Sequence, residues 1–172
     1  ALEYGYTSVK LAPGKANRMD VLISALIRLG DFAEARKQIE LAENMPYPDP
    51  ELVSTWWCQY YYEQNDIPNL RRVLAERAEL SKLGTAYTLY TTTAFYTLWL
   101  DGVDAAMPWL EKAWQQREYL LTWPLLIYLP ERISTDPKWL EFWNRPGLRE
   151  LMETRRANGP YENIGYWKER PQ

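Results

Sequence analysis

The chain has 172 residues, of which 47% are hydrophobic and 25% charged, a balance typical of a globular domain with a sizeable core. Its net charge of −3 argues against a nucleic-acid partner, and the absence of a long apolar run argues against a membrane partner. The chain contains no histidine, which excludes a Ser-His-Asp triad, a Cys-His pair and a histidine-ligated metal site, so we expect no cofactor and no enzyme activity.

The predicted helices start with a single segment at about residues 1–10 and continue as pairs. The pairs lie at about 16–29 with 32–44, 50–64 with 67–81, and 85–100 with 103–117. Within the first pair, Gly30 suits the left-handed end of a helix and Asp31 can cap the next one. Ala35, Ile39 and Ala42 then recur at spacings of four and three, which predicts one buried helix face.

The same turn recurs at Asn65-Asp66 and at Asp101-Gly102, at intervals of about 35 residues. Each turn is followed by a helix with the same inward spacing. The inward positions are Leu70, Leu74 and Arg77 in the second pair, and Ala106, Leu110 and Ala113 in the third. A period near 34 residues predicts an array of two-helix repeats.

This pattern resembles the tetratricopeptide repeat (TPR) family, whose second helices carry the motif A-x3-F. That motif falls on Ala35 and Ile39, then Leu70 and Leu74, then Ala106 and Leu110. The resemblance implies an all-α fold, a TPR-like α-solenoid of antiparallel helix pairs with a C-terminal helical cap and an extended tail. It implies the following layout: a half repeat at 1–13, repeats at about 16–49, 50–84 and 85–118, capping helices at 119–158 and the tail at 159–172.

The end of the array carries a second resemblance. The run Trp109–Ala113 (WLEKA) with Arg117, then Asp136–Trp139 (DPKW), then Gly147-Leu148, resembles the C-terminal cap of TPR arrays in bacterial signalling proteins. Such proteins carry an adenylate cyclase or a DNA-binding winged-helix domain ahead of the array. The resemblance therefore implies the cytoplasmic, C-terminal part of a larger regulator, in which catalysis or DNA contact lies upstream.

The segment Trp56–Gln64 (WWCQYYYEQ) divides between two helix faces. The repeat register predicts Trp57, Cys58 and Tyr61 in the core, with Cys58 a buried hydrophobe and not a nucleophile, since no histidine can activate it. The opposite face would line the concave groove that TPR arrays use for partners. The predicted groove residues are Asp20, Ser24, Arg28, Trp56, Gln59, Tyr62, Glu63, Thr91, Phe95 and Trp99.

The composition of this groove predicts the kind of partner. Rigid aromatic side chains suit a protein or peptide partner, and Arg28 is the only base among the predicted groove residues. We therefore expect a basic or apolar partner and no clamp for a C-terminal carboxylate. An equally weighted alternative is that the chain's own tail, through Tyr161, Tyr166 and Trp167, covers the groove aromatics.

Two further functions were weighed against partner binding. A structural domain could self-associate, with the unpaired N-terminal helix forming a homodimer. A carboxylate-only hydrolase would use Asp20 and Glu63, which would face each other across the groove, and it is the less favoured alternative.

Overall fold

A computed structural model describes residues 2–11, 15–83, 89–118, 121 and 131–158. These residues form α-helices and turns and contain no strand, which confirms the predicted all-α class. A short 3-10 turn, Ser81–Leu83, follows the fifth helix. The helices are α1 (Leu2–Leu11), α2 (Ala16–Arg28), α3 (Phe32–Glu43), α4 (Pro50–Glu63), α5 (Ile67–Leu80), α6 (Leu89–Asp101), α7 (Val103–Gln115), α8 (Glu131–Ser134), α9 (Pro137–Trp143) and α10 (Leu148–Asn158).

Aspartates set the start of most of the capped helices. The side chains of Asp31, Asp49 and Asp66 each accept a hydrogen bond from the backbone N–H three residues later, at 3.0–3.2 Å. Asp136 accepts from the two backbone N–H groups at the start of α9. These bonds satisfy donors that have no partner inside the helix. Gly30, with φ at +77°, ends α2 in the predicted left-handed conformation.

The chain divides into two compact units, Ala1–Leu89 and Tyr90–Gln172. In the first unit, α2 packs against α1, α3 and α4, while α4 also packs against α3 and α5. The core is built from apolar side chains of three helices. Its buried members are Met19, Leu22, Ile23, Leu26 and Ile27 of α2, Ala35, Ile39 and Ala42 of α3, and Val53, Trp56 and Tyr60 of α4.

The contact between α1 and α2 depends on a glycine. A Cβ atom added to Gly5 would lie 2.8 Å from the Cα of Leu22, closer than two carbon atoms can approach. The absence of a side chain at Gly5 therefore allows the two helices to touch.

In the second unit, α6 is buried from Tyr90 to Leu98, although three consecutive threonines are poor helix formers. Its first turn is capped by Glu118, which follows α7 and is 6% exposed. The Glu118 carboxylate accepts from the backbone N–H groups of Tyr90 and Thr91, at 3.0 and 2.7 Å, and from the Thr91 hydroxyl at 2.6 Å. A carboxylate at a helix N-terminus is favoured by the helix dipole.

The WLEKA run of α7 makes contacts through both of its faces. Leu110 and Ala113 are fully buried, whereas Glu111 forms a two-pronged ion pair with Arg145. This pair ties α7 to the turn that follows α9, and α9 itself packs against α7. The Arg145 guanidinium lowers the pKa of the Glu111 carboxyl by hydrogen bonding to it.

The prediction for the last helix is only partly correct. Leu148 is buried as expected, but Leu151, expected to point inward, is 42% exposed. Among the described side chains of α10, Leu148 alone is buried, so the helix packs through its first turn. The predicted tail at 159–172, with Tyr161, Tyr166 and Trp167, lies outside the described residues.

Candidate functional site

Trp56 was predicted in the binding groove, and this prediction is wrong. Its side chain is completely buried in the core between α2 and α4. Its indole N–H donates to Asp20 Oδ1 at 2.7 Å, across the contact between the two helices. The face of α4 that carries Trp56 is therefore covered by α2, because the two helices pack side by side.

The other predicted groove residues of the first unit remain at least partly accessible. Ser24 donates to Gln59 Oε1 at 3.1 Å, so α2 and α4 bring these two together as they do Asp20 and Trp56. Arg28 and Glu63 are exposed and Tyr62 is half-buried. The Ser24–Gln59 and Asp20–Trp56 hydrogen bonds form a polar seam along the α2–α4 contact.

In the second unit, Thr91 and Phe95 are also wrongly predicted as groove residues. Thr91 is fully buried and its hydroxyl is bonded to Glu118, whereas Phe95 is 4% exposed and packs edge-on against Tyr96 at 4.9 Å. Every residue of their helix from Tyr90 to Leu98 is buried, so no face of this stretch is free to line a groove. Trp99, near the end of the same helix, is half-buried.

Trp57, predicted in the core, is instead half-buried at the surface of α4. Its ring stacks on Tyr61, which is half-buried too, with centroids 5.4 Å apart. The prediction that both are core is therefore only partly correct, because they pack against the core of the first unit without being buried in it. The Trp57 indole N–H donates to Glu43 Oε1, at the end of α3, at 2.6 Å. Trp57 therefore combines an accessible ring with a carboxylate held beside it.

Cys58 is buried, as predicted. Burial raises the pKa of its thiol to about 12, so the thiol stays protonated near neutral pH and is a poor nucleophile.

The structure places a cleft of about 780 Å³ next to Trp57, at the end of α3, the start of α4 and the end of α5. This volume is typical of a ligand pocket. We call it the α4–α5 cleft. The described residues that line it are Glu43, Pro48, Pro50, Val53, Ser54, Trp57, Glu76, Glu79, Leu80 and Lys82.

The rim of the α4–α5 cleft carries more negative than positive charge. Glu76 is paired with Arg72 at 2.6 Å and Glu79 with Lys82 at 2.6 Å, both as exposed pairs within α5 and the turn after it. Glu43 makes no ion pair among the described residues and is held by the Trp57 indole N–H. Exposed ion pairs of this kind are weak. With three carboxylates and one ammonium among the described lining residues, the rim presents a net negative charge to a ligand.

A buried arginine lies behind one wall of the cleft. The Nη1 atom of Arg77 donates to Ser54 Oγ at 2.6 Å, to Thr55 Oγ1 at 2.9 Å and to the Glu51 carbonyl at 3.2 Å. Arg77 has no exposed surface, although the repeat pattern places it where the other repeats have Ala42 and Ala113. It holds the start of α4 against α5.

The sequence pattern missed the cleft for two reasons. The repeat register exchanges Trp56 and Trp57, although it places Cys58 correctly. The run Pro46, Pro48 and Pro50 was interpreted only as a helix boundary, whereas Pro48 and Pro50 also form part of a wall. A proline-rich connection beside exposed aromatic residues was the available signal.

The N-terminal helix that is predicted to form a homodimer is α1. Tyr4, Tyr6 and Leu11 of α1 are exposed. A homodimer through this helix remains a prediction.

No helix in the described part of the chain has the length and apolar character needed to cross a membrane. Within the same residues, no three carboxylate or thiol side chains cluster as metal ligands. No protein-family model, curated protein or solved structure matches the chain.

Proposed function

We propose that this chain is a TPR-like protein-interaction module from the C-terminal part of a larger bacterial signalling protein, and that it binds a peptide segment of a partner. The helix contacts of the first unit support the array: α2 and α3 pack together, α4 and α5 pack together, and α4 contacts both helices before it. Contacts of each repeat with its neighbour are the defining property of a solenoid.

The observation that carries the binding proposal is the α4–α5 cleft. Its lining is mainly apolar, its volume is within the usual range for ligand sites, and its charged side chains, Glu43, Glu76, Glu79 and Lys82, are exposed. Trp57 supplies a large, rigid contact surface, which is the kind of residue that dominates peptide affinity. The polar seam between α2 and α4 is a weaker candidate, because Asp20, Ser24 and Gln59 are already hydrogen-bonded within the chain.

The proposal is tested by displaying a random peptide library to the immobilised chain and measuring the affinity of the recovered peptides by calorimetry. Trp57→Ala should reduce that affinity at least tenfold, while the chain keeps its far-UV circular dichroism. Tyr4→Ala removes an exposed aromatic side chain from α1, far along the chain from the cleft residues, and should leave the affinity unchanged. Recovery of no peptide that binds more tightly than about 1 mM would refute the proposed function.

A further inference from the structure

We infer that the α4–α5 cleft selects a peptide segment in which a lysine or arginine adjoins a large apolar side chain. The inference rests on the proposed function and adds the chemistry of the ligand. Three features of the cleft support it: an apolar wall, a carboxylate held in place beside a tryptophan, and a buried positive charge behind the wall at Ser54.

The apolar part of the ligand is specified by the wall. Pro48, Pro50, Val53, Trp57 and Leu80 present carbon surface, and they make up half of the described lining. Proline and tryptophan are rigid, so they lose little conformational freedom when a ligand covers them. A leucine- or phenylalanine-sized side chain would exchange water for contact with this wall.

The cation is specified by Glu43. Among the lining carboxylates, Glu76 and Glu79 already have Arg72 and Lys82 as partners, whereas Glu43 is held only by the Trp57 indole N–H. A ligand ammonium or guanidinium at this position would neutralise Glu43 and could also lie near the Trp57 ring, which attracts cations. An anionic ligand would meet three carboxylates and one ammonium on the rim.

Arg77 determines the orientation of the ligand. Its charge lies directly behind Ser54, one helical turn before Trp57 on α4. A ligand cation is repelled there and favoured beside Glu43. The apolar side chain is therefore expected against Val53, with the basic side chain toward Trp57.

The inference is tested with three capped hexapeptides of identical backbone, each with two leucines that flank a central lysine, norleucine or glutamate. Their affinities are measured by fluorescence polarisation with a dye on the peptide N-terminus. The lysine peptide should bind at least tenfold more tightly than the norleucine peptide, and the glutamate peptide more weakly than both. The preference for lysine should shrink as salt is added, because screening weakens exposed charge pairs.

Glu43→Gln should reduce the affinity for the lysine peptide about twofold to fivefold and leave the norleucine peptide unchanged, as expected for the loss of one charge pair near the surface. Glu40→Gln, on the same helix, is the matched control, because it removes the same charge outside the cleft and should change neither peptide. Trp57→Phe keeps an apolar ring but releases Glu43, and should weaken the lysine peptide more than the norleucine peptide.

The outcomes separate the two proposals. Equal affinities for all three peptides, or an equal effect of Glu40→Gln and Glu43→Gln, would overturn the charge selection and leave partner binding in place. No binding by any of the three peptides, together with an empty library screen, would overturn the proposed function itself.

Discussion

The two adjacent tryptophans of α4 should respond very differently to truncation. Trp56 is 0% exposed, so Trp56→Ala removes a ring that buries about 200 Å². At about 25 cal/mol per Å², this corresponds to about 5 kcal/mol, of which the remaining alanine methyl retains about 1 kcal/mol. The expected loss in the free energy of unfolding is therefore about 4 kcal/mol, in the usual range of about 3–5 kcal/mol for a buried aromatic.

Trp57→Ala should lower the free energy of unfolding by about half as much, roughly 2 kcal/mol, because its ring is only half-buried and its stacking partner Tyr61 lies near the surface as well.

Trp56→Phe provides an intermediate case. It keeps most of the ring but loses the hydrogen bond to Asp20, and the exposed carboxylate can be rehydrated. We expect a loss of about 1–2 kcal/mol.

Urea denaturation followed by far-UV circular dichroism measures all three changes, because that signal does not depend on the tryptophans that are replaced. The slope of the free energy against urea concentration should stay constant across the variants. A loss for Trp57→Ala equal to or larger than that for Trp56→Ala would refute the assignment of the two faces of α4. It would also remove Trp57 from the cleft and with it the basis of the proposed site.

Glu118→Gln should lower the free energy of unfolding by about 2 kcal/mol, because a buried carboxylate loses charge-assisted hydrogen bonds at a helix N-terminus; urea denaturation measures the change. Gly5→Ala should detach α1 from α2, since the added Cβ would lie 2.8 Å from a Cα of α2, and hydrogen exchange should show faster exchange in α1. Arg145 holds the pKa of Glu111 below its ordinary value of 4.5, so their ion pair stabilises the fold fully above that pH and is lost as the pH falls through the lowered pKa. Solvent screening limits this contribution to about 1 kcal/mol, which the pH dependence of the urea midpoint reports. Cys58, with its pKa raised to about 12, should resist iodoacetamide near neutral pH in the folded chain and react after unfolding, as mass spectrometry detects.

Each of these four predictions has a control or an opposing result. Glu141→Gln removes an exposed carboxylate and should leave stability nearly unchanged, so an equal loss from both variants would contradict the capping role of Glu118. Unchanged hydrogen exchange in α1 of the Gly5→Ala variant would contradict the close contact between α1 and α2. Glu111→Gln should remove the loss of stability that the Glu111–Arg145 pair causes at acidic pH. If the pH dependence of the urea midpoint is unchanged in this variant, the ion pair is not its source. Rapid labelling of folded Cys58 would show that the thiol is accessible.

Much of the helical framework could be predicted because it depends on local interactions. The ends of the helices follow from an aspartate, a glycine or a proline within one turn of the boundary, as Gly30 with Asp31 and Asp136 with Pro137 illustrate. Such caps act over a few residues, so they can be recognised without knowledge of the tertiary structure. The buried positions Ala35, Ile39 and Ala42 could be predicted for the same reason, since polar residues separate them on their helix.

The candidate site could not be predicted in this way. In α4, aromatic residues point in nearly every direction, so helical periodicity does not distinguish the face with Trp56 from the face with Trp57. The role of Glu118 likewise depends on a helix that begins 29 residues earlier at Leu89, beyond the range of any local pattern.

The sequence by itself determined an all-helical chain, the positions of its turns and the absence of histidine chemistry, because these depend on composition and on neighbours along the chain. The tertiary structure alone decided which aromatic residues are buried and which remain accessible. Trp56 is buried because α2, about 36 residues earlier, covers it and supplies Asp20 as its hydrogen-bond acceptor. Trp57 remains accessible because α3, α4 and α5 leave the cleft open beside it and Glu43 holds its indole at the surface.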